Sequence, residues 1–306
     1  MTDASPYLRR FAVRGVFWRQ CLDFALRDIP FYLQPILIWV MTGFFFFFAA
    51  PARRAVVSNL AIVLPGSSRF MNHLRAFRTL LNFAWTITES AHYKLNRKDF
   101  AYEIVGSEFL EQLAAAKGAI VLTAHMGSYD LGAALFAQKF NREIRMVRAP
   151  ESDRETEQHL RESVQKAGEG AIKIDYNTSG ALLSFDLLNA LRQGEIVSIQ
   201  GDRVIPGLAT ASGQLFRHEA MLPSGPFTLA LVAQVPIYPL FIARAGYRRY
   251  RVIVGEPIIA TRTARTRDED IAAAVEAWCH VLERTIARHW DQWFAFAPIF
   301  ATNGKA

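Results

Sequence analysis

The sequence predicts an α/β fold: a central, mostly parallel or mixed sheet flanked by helices, with an N-terminal apolar helix associated with a membrane. Three observations lead there. Short apolar runs rich in β-branched residues, such as Ala119-Ile-Val-Leu122 and Ile196-Val-Ser-Ile-Gln200, alternate with segments of helical period. Residues 29–52 carry no charged side chain. The chain has 306 residues, enough for one large domain with a substantial core.

Composition narrows the partners. Hydrophobic residues make up 51% of the chain, 23 of them Phe, and the formal net charge is +7. A basic surface suits nucleic acid, anionic lipid headgroups or an acidic protein. The apolar excess favours the membrane, and no nucleic-acid recognition signature is visible, so nucleic acid is not expected as a partner. Cys21 and Cys279 lie far apart without metal-ligand spacing. They imply no disulfide framework and no zinc site, and no metal is expected.

From the N-terminus, residues 1–28 hold Arg9, Arg10, Arg14, Arg19 and Arg27 among Phe17, Trp18, Leu22 and Leu26. This pattern fits a basic amphipathic helix at a membrane surface, or a solvated helix on the globular domain. Residues 29–52 are long enough to span a bilayer core, which takes about 20 apolar residues. They can equally lie as a hairpin in one leaflet; the bland alternative is a core helix. Five consecutive Phe are an odd choice for a core.

Residues 53–64 and 70–93 have helical spacing, separated by the turn Pro65-Gly-Ser-Ser68, with Ser68 as N-cap. A short strand is expected over 100–106, then a helix capped by Ser107 and ended by Gly118. The central strand follows, and after it a helix with Leu131, Ala134 and Leu135 on one face. Strands are expected at 143–148, 171–174 and 196–200, with helices over 153–167 and 179–194 between them. Residues 207–213 look like a small-residue loop and 214–218 like a short strand. Residues 222–226 form a loop into a helix over 227–234. Strands at 236–243 and 251–255, a charged linker over 261–268 and a helix over 270–290 complete the chain. Trp290, Trp293, Phe294 and Phe296 close the chain as core residues or, alternatively, as interfacial aromatics.

The chemistry concentrates where the central strand turns into the next helix. His125 falls just past the strand end and Asp130 in the first helical turn. In open α/β sheets ligands bind outside the carboxyl ends of the strands. A neutral imidazole there can take a proton from a hydroxyl, best when a carboxylate holds its other nitrogen. Gly127 leaves the backbone open to a substrate. The bland alternative is a capped helix start with Asp130 near the positive end of the dipole.

His125-Met-Gly-Ser-Tyr-Asp130 resembles the H-x4-D/E motif of the lysophospholipid acyltransferase superfamily. It is close to the form found in the lipid A late acyltransferases and their aryl-polyene-associated relatives. Gln200-Gly-Asp-Arg203, Leu222-Pro-Ser-Gly-Pro-Phe227 and His289-Trp-Asp-Gln-Trp-Phe294 support it in the same order. Ser128-Tyr129-Asp130 departs from the usual polar-Trp-Glu of the lipid A enzymes, which puts lipid A itself in doubt as the acceptor.

The resemblance implies a glycerol-3-phosphate acyltransferase-like fold. Residues 1–64 would form a membrane-associated helical segment and 65–306 the acyltransferase domain. It implies transfer of a fatty acyl group from acyl carrier protein or coenzyme A to a hydroxyl of a lipid or glycolipid. The acyl thioester is a co-substrate and no further cofactor is needed. The setting it implies is the cytoplasmic face of a bacterial inner membrane. His125 would be the base and Asp130 its orienting acid. Gly127, Ser128, Asp202, Arg203, Ser224 and Gly225 would contact substrate. Asp202 either orients Arg203 or faces the site. Arg203 suits a phosphate or carboxylate of the acceptor, or ends an exposed turn in an ion pair. The amides around Ser224 and Gly225 can hold an anion at a helix start, or the flanking prolines simply fix the turn. A thioesterase-like hydrolase and a non-catalytic lipid-binding protein of the same fold are the alternatives.

Overall fold

The computed structural model describes residues 28–30, 32–95, 100–128, 132, 143–149, 158, 172–177, 181–263 and 266–300. The expected helices over 1–28 and 153–167, and the one after His125, lie outside these residues, as do Asp130 and Cys21.

A seven-stranded sheet organises the described chain. Its strands are β1 (Ala101–Val105), β2 (Ala119–Thr123), β3 (Ile144–Arg148), β4 (Ile172–Tyr176), β5 (Ile196–Gln200), β8 (Ile237–Gly246) and β9 (Arg249–Val254). The order is β1-β9-β8-β2-β5-β3-β4. Every pair is parallel except β8 with β9, so the sheet is mostly parallel, as the alternating pattern predicts. β2 is buried along its whole length between β5 and β8. An interior parallel strand has both faces covered and therefore shows an unbroken apolar run.

The helices are α1 (Gln34–Phe48), α2 (Ala50–Val63), α3 (Arg69–Leu95), α4 (Ser107–Ala115), α5 (Ala181–Arg192), α6 (Gly225–Ala233) and α7 (Arg267–Arg288). Two apolar cores lie on the two sheet faces. Ile120, Leu122, Val197 and Phe241 pack with Leu187 of α5, Phe227 of α6 and Trp278 and Leu282 of α7. Val121, Ile196, Tyr238 and Leu240 pack with Tyr93 of α3 and Leu110 and Leu113 of α4. The alternation of neighbours such as Val121 and Leu122 between the two cores is the period of two that a strand imposes.

Several boundaries differ from expectation. The small-residue loop expected over 207–213 is largely a strand: β6 (Thr210–Leu215) pairs antiparallel with β7 (His218–Pro223). The strand expected over 214–218 instead contains their turn, Phe216 and Arg217, both at positive φ. Packing overrides the poor strand propensity of Thr-Ala-Ser-Gly. A Cβ on Gly213 would stand 2.6 Å from Cys279 Sγ and 3.0 Å from Val275, so only glycine lets β6 approach α7 this closely. Glu276 and Glu283 of α7 accept from the Gln214 and Phe216 amides. α7 also starts three residues before the expected position, at a capping box in which Thr266 and Glu269 bond each other's amides. Ser68 caps α3 as expected, accepting from the Met71 amide at 3.2 Å. The helix after β1 is entered through Gly106 in the left-handed region, not capped by the Ser107 side chain.

The apolar stretch over 29–52 is not one helix. α1 stops at Ala49 and α2 leaves at 90°. Pro51 lacks an N–H and cannot continue the ladder, which accounts for the break. Arg53 closes the corner by donating to the Phe46 and Phe47 carbonyls, with its guanidinium over the Phe46 ring. No single described helix is long and apolar enough to cross a membrane, although the bent pair has the length and composition together. α2 is tied to the C-terminal segment through buried Asn59, which donates to the Ala295 and Ala297 carbonyls and accepts from the Ile299 amide.

Candidate active site

β2 and β5 run side by side with Thr123 opposite Gln200. His125 and Asp202 each lie two residues past those paired ends. The register therefore brings them together, although 77 residues separate them in sequence. His125 Nδ1 lies 2.7 Å from Asp202 Oδ1, and the His125 amide donates to Asp202 Oδ2 at 3.1 Å. On the other side of the ring, Arg203 Nη2 stands 2.8 Å from His125 Nε2. A guanidinium can only donate, so Nε2 accepts and Nδ1–H donates to Asp202. This is the tautomer a general base needs.

Asp202 is 1% exposed while the His125 side chain is 18% exposed. Burial alone would push the Asp202 carboxyl up. The adjacent His125 and the hydrogen bonds from its ring and amide and from the Trp293 indole outweigh this and hold it below the usual carboxylate range. The carboxylate is thus kept ionised inside the protein, and the imidazole carries its influence outward. Trp278 donates its indole N–H to the Gly201 carbonyl, fixing the turn that carries Asp202.

The other expected residues fall into two groups. Gly127 and Ser128 adjoin His125. Gly127 has φ +52°, and a Cβ there would stand 1.6 Å from the Ile242 carbonyl oxygen. Its amide donates to the Gln292 carbonyl. Close approach to β8 by itself demands a glycine here. Ser128 is buried, with its hydroxyl 2.7 Å from that of Ser90 on α3. Ser224 and Gly225 belong to the turn between β7 and α6. The Ser224 amide already donates to the Ala209 carbonyl, and Pro226 has no N–H to offer.

Among the described residues, no group of three or more His, Cys, Asp or Glu side chains is placed to hold a metal ion. Cys279 is buried against the sheet, and burial together with Glu276 and Glu283 pushes its thiol up to about 12. Sequence reasoning left open whether Asp202 faces the site, and it weighed Trp293 as a core or an interfacial aromatic. Trp293 is indeed core, at 2% exposure, but its indole N–H donates to Asp202 Oδ2 at 3.0 Å. No local pattern could have announced that bond, since its partners are 91 positions apart.

A His–Asp pair at the carboxyl ends of adjacent parallel strands lies where α/β enzymes bind their ligands, and its chemistry is one that acid–base catalysis can use. The family model of the bacterial lipid A biosynthesis acyltransferases matches residues 22–302, nearly the whole chain, and the chain belongs to that family. It is an acyltransferase of lipid biosynthesis. Among curated proteins none matches the chain.

Proposed function

We propose that this acyltransferase moves a fatty acyl group from a thioester of acyl carrier protein or coenzyme A to a hydroxyl of a lipid or glycolipid at a membrane surface. The observation that carries the mechanism is the line Asp202–His125–Arg203. His125 Nε2 takes the proton of the acceptor hydroxyl, and Asp202 orients the ring and stabilises the imidazolium that forms. The hydroxyl oxygen attacks the thioester carbonyl, the C–S bond breaks, and the thiolate leaves with the proton returned from His125. The acceptor hydroxyl takes the place Arg203 now holds on Nε2. Arg203, moved aside by the acceptor, is then free to face the carbonyl oxygen, where its positive charge stabilises the developing oxyanion. Asp130, the acid expected to orient His125, lies outside the described residues and stays in the proposal beside Asp202, which holds Nδ1.

The membrane reading rests on α1. Its inward face carries Gln34, Ile38 and Thr42. Its outward face carries Ile36, Trp39, Val40, Phe44 and Phe47, exposed between 46% and 72%. The spacing of four, four and three from Ile36 through Val40 and Phe44 to Phe47 is one helical stripe. Phe70, Met71 and Leu74 at the start of α3 are exposed as well. Polar residues inside and large apolar ones outside suit contact with lipid. We place the chain on the cytoplasmic face of a bacterial inner membrane, where activated acyl thioesters are made.

The test is transfer of a labelled acyl chain from acyl carrier protein and from coenzyme A to bacterial lipids by wild type and His125→Ala. Labelled lipid made by wild type only is expected. Equal transfer by His125→Ala removes the base, and loss of thioester without acylated lipid makes the chain a hydrolase. Fractionation checks the membrane: most of the protein staying soluble in high salt without detergent contradicts it.

A further inference from the structure

The acid–base scheme uses Asp202 Oδ1, yet the other oxygen is also held. Trp293 lies on a strap, residues 292–294, that runs along the turn carrying His125. The Gln292 carbonyl accepts from the Gly127 amide, Met126 and Trp293 form a β-bridge, and the Phe294 amide donates to the His125 carbonyl at 2.7 Å. From this strap the indole crosses to Asp202 and donates to Oδ2 at 3.0 Å.

We propose that Trp293 is a positioning residue for acyl transfer: its indole N–H locks the Asp202 carboxylate in the orientation that presents Oδ1 to His125 Nδ1. This rests on the reading of His125 as the base. A carboxylate rotates broadly about its last torsion. Two donors on Oδ2, the His125 amide and the indole, fix its plane and leave Oδ1 for the ring. A tryptophan needed only for volume would have no reason to aim its N–H at the carboxylate that holds His125. The strap also couples the two halves of the pair, because the same three residues hold the His125 backbone and the Asp202 side chain.

The groups facing Asp202 define what a pH profile reports. His125 faces it from the β2 turn, and Arg203 stands beyond the ring from the β5 turn. Trp278 of α7 and Trp293 of the strap bring no charge. With the indole N–H removed, Asp202 takes up its proton at higher pH and releases the imidazole from its orientation sooner as pH falls.

Two variants test this. Trp293→Phe keeps an aromatic ring without the N–H. Replacement of Trp293 by 3-benzothienylalanine keeps the full indole shape with sulfur in place of N–H. Both are compared with wild type and His125→Ala, using labelled palmitoyl-coenzyme A and a bacterial lipid extract in detergent micelles. The expected result is a fall in kcat of about tenfold, little change in KM, and an acid limb moved to higher pH. A substrate-free readout accompanies it: the His125 Nδ1-bound proton, observed by NMR in histidine-labelled protein, shifts and exchanges faster in the variants. An unchanged limb and an unchanged proton resonance in the benzothienylalanine protein overturn the proposal, even where Trp293→Phe fails to fold. Retained transfer by His125→Ala instead overturns the reading of the base, so the two failures are distinct.

Discussion

Asp202 and Glu89 are buried alike, at 1% and 2% exposure, but their partners differ in kind. Glu89 on α3 accepts from the Arg244 guanidinium at 3.1 Å, the Arg248 amide at 3.1 Å and the Tyr250 hydroxyl. Burial and the Glu89 charge push the Tyr250 phenol far up, so it stays a donor. Arg244 is itself stacked over Trp85, and its backbone is held at both ends by Gln292. Here a full positive charge cancels the carboxylate, and the network ties α3 to the β8–β9 hairpin. Among the described residues, no guanidinium bonds the Asp202 oxygens. Its donors are an imidazole, an amide and an indole, and its charge is left to act on a ring whose far nitrogen meets Arg203. Burial makes a carboxylate consequential, and the identity of its donors decides whether the consequence is structural or chemical.

The sharpest way to break this contrast is to neutralise each carboxylate in turn. Asp202→Asn should lower kcat by about 10²–10⁴-fold, with only a small fall in the unfolding midpoint, the part the depressed carboxyl supplies. Steady-state transfer rates and thermal melts on the same preparations check it. Glu89→Ala should do the reverse. It leaves the half-buried Arg244 without its acid, at a cost of up to about 3 kcal/mol in stability, while the fraction that folds keeps most of its activity. Urea unfolding with activity measured per folded molecule separates the two effects.

Between these lies Gly127, which touches the chemical site and the hairpin at once. A methyl group there meets the Ile242 carbonyl in a backbone conformation that favours glycine. Gly127→Ala should destabilise the protein by about 3 kcal/mol, seen as a lower urea midpoint, and should also misplace His125. The smallest expected effect is on acid stability. Because the folded Asp202 carboxyl is held low, it stabilises the fold above the unfolded value of about 3.9. That contribution is lost as pH falls through the folded value. Asp202→Asn should therefore flatten the fall in Tm on the acid side, and a wild-type slope in the variant would contradict the depressed carboxyl.

Much of the fold is legible along the chain. β2 and β5 announce themselves as short runs of Ile, Val and Leu, and α7 by its apolar spacing. The Thr266-x-x-Glu269 cap was also there to be found. The β6–β7 hairpin was not, because Thr210, Ala211, Ser212 and Gly213 have little strand preference of their own and are held by α7. The 90° corner at Ala49 follows from Pro51, yet composition alone merged α1 and α2 into one apolar stretch.

By itself the sequence determined most of the segments that become strands and helices, the β6–β7 hairpin and the α1–α2 corner aside, and that His125 stands at the end of a central strand. It did so because periodicity and turn residues act over a few neighbours. That Asp202 meets His125, that Trp293 braces it and that α1 turns its apolar side outward were decided only by tertiary structure. Those facts depend on which strands lie side by side, in what register, and on which surfaces remain uncovered once the core has closed.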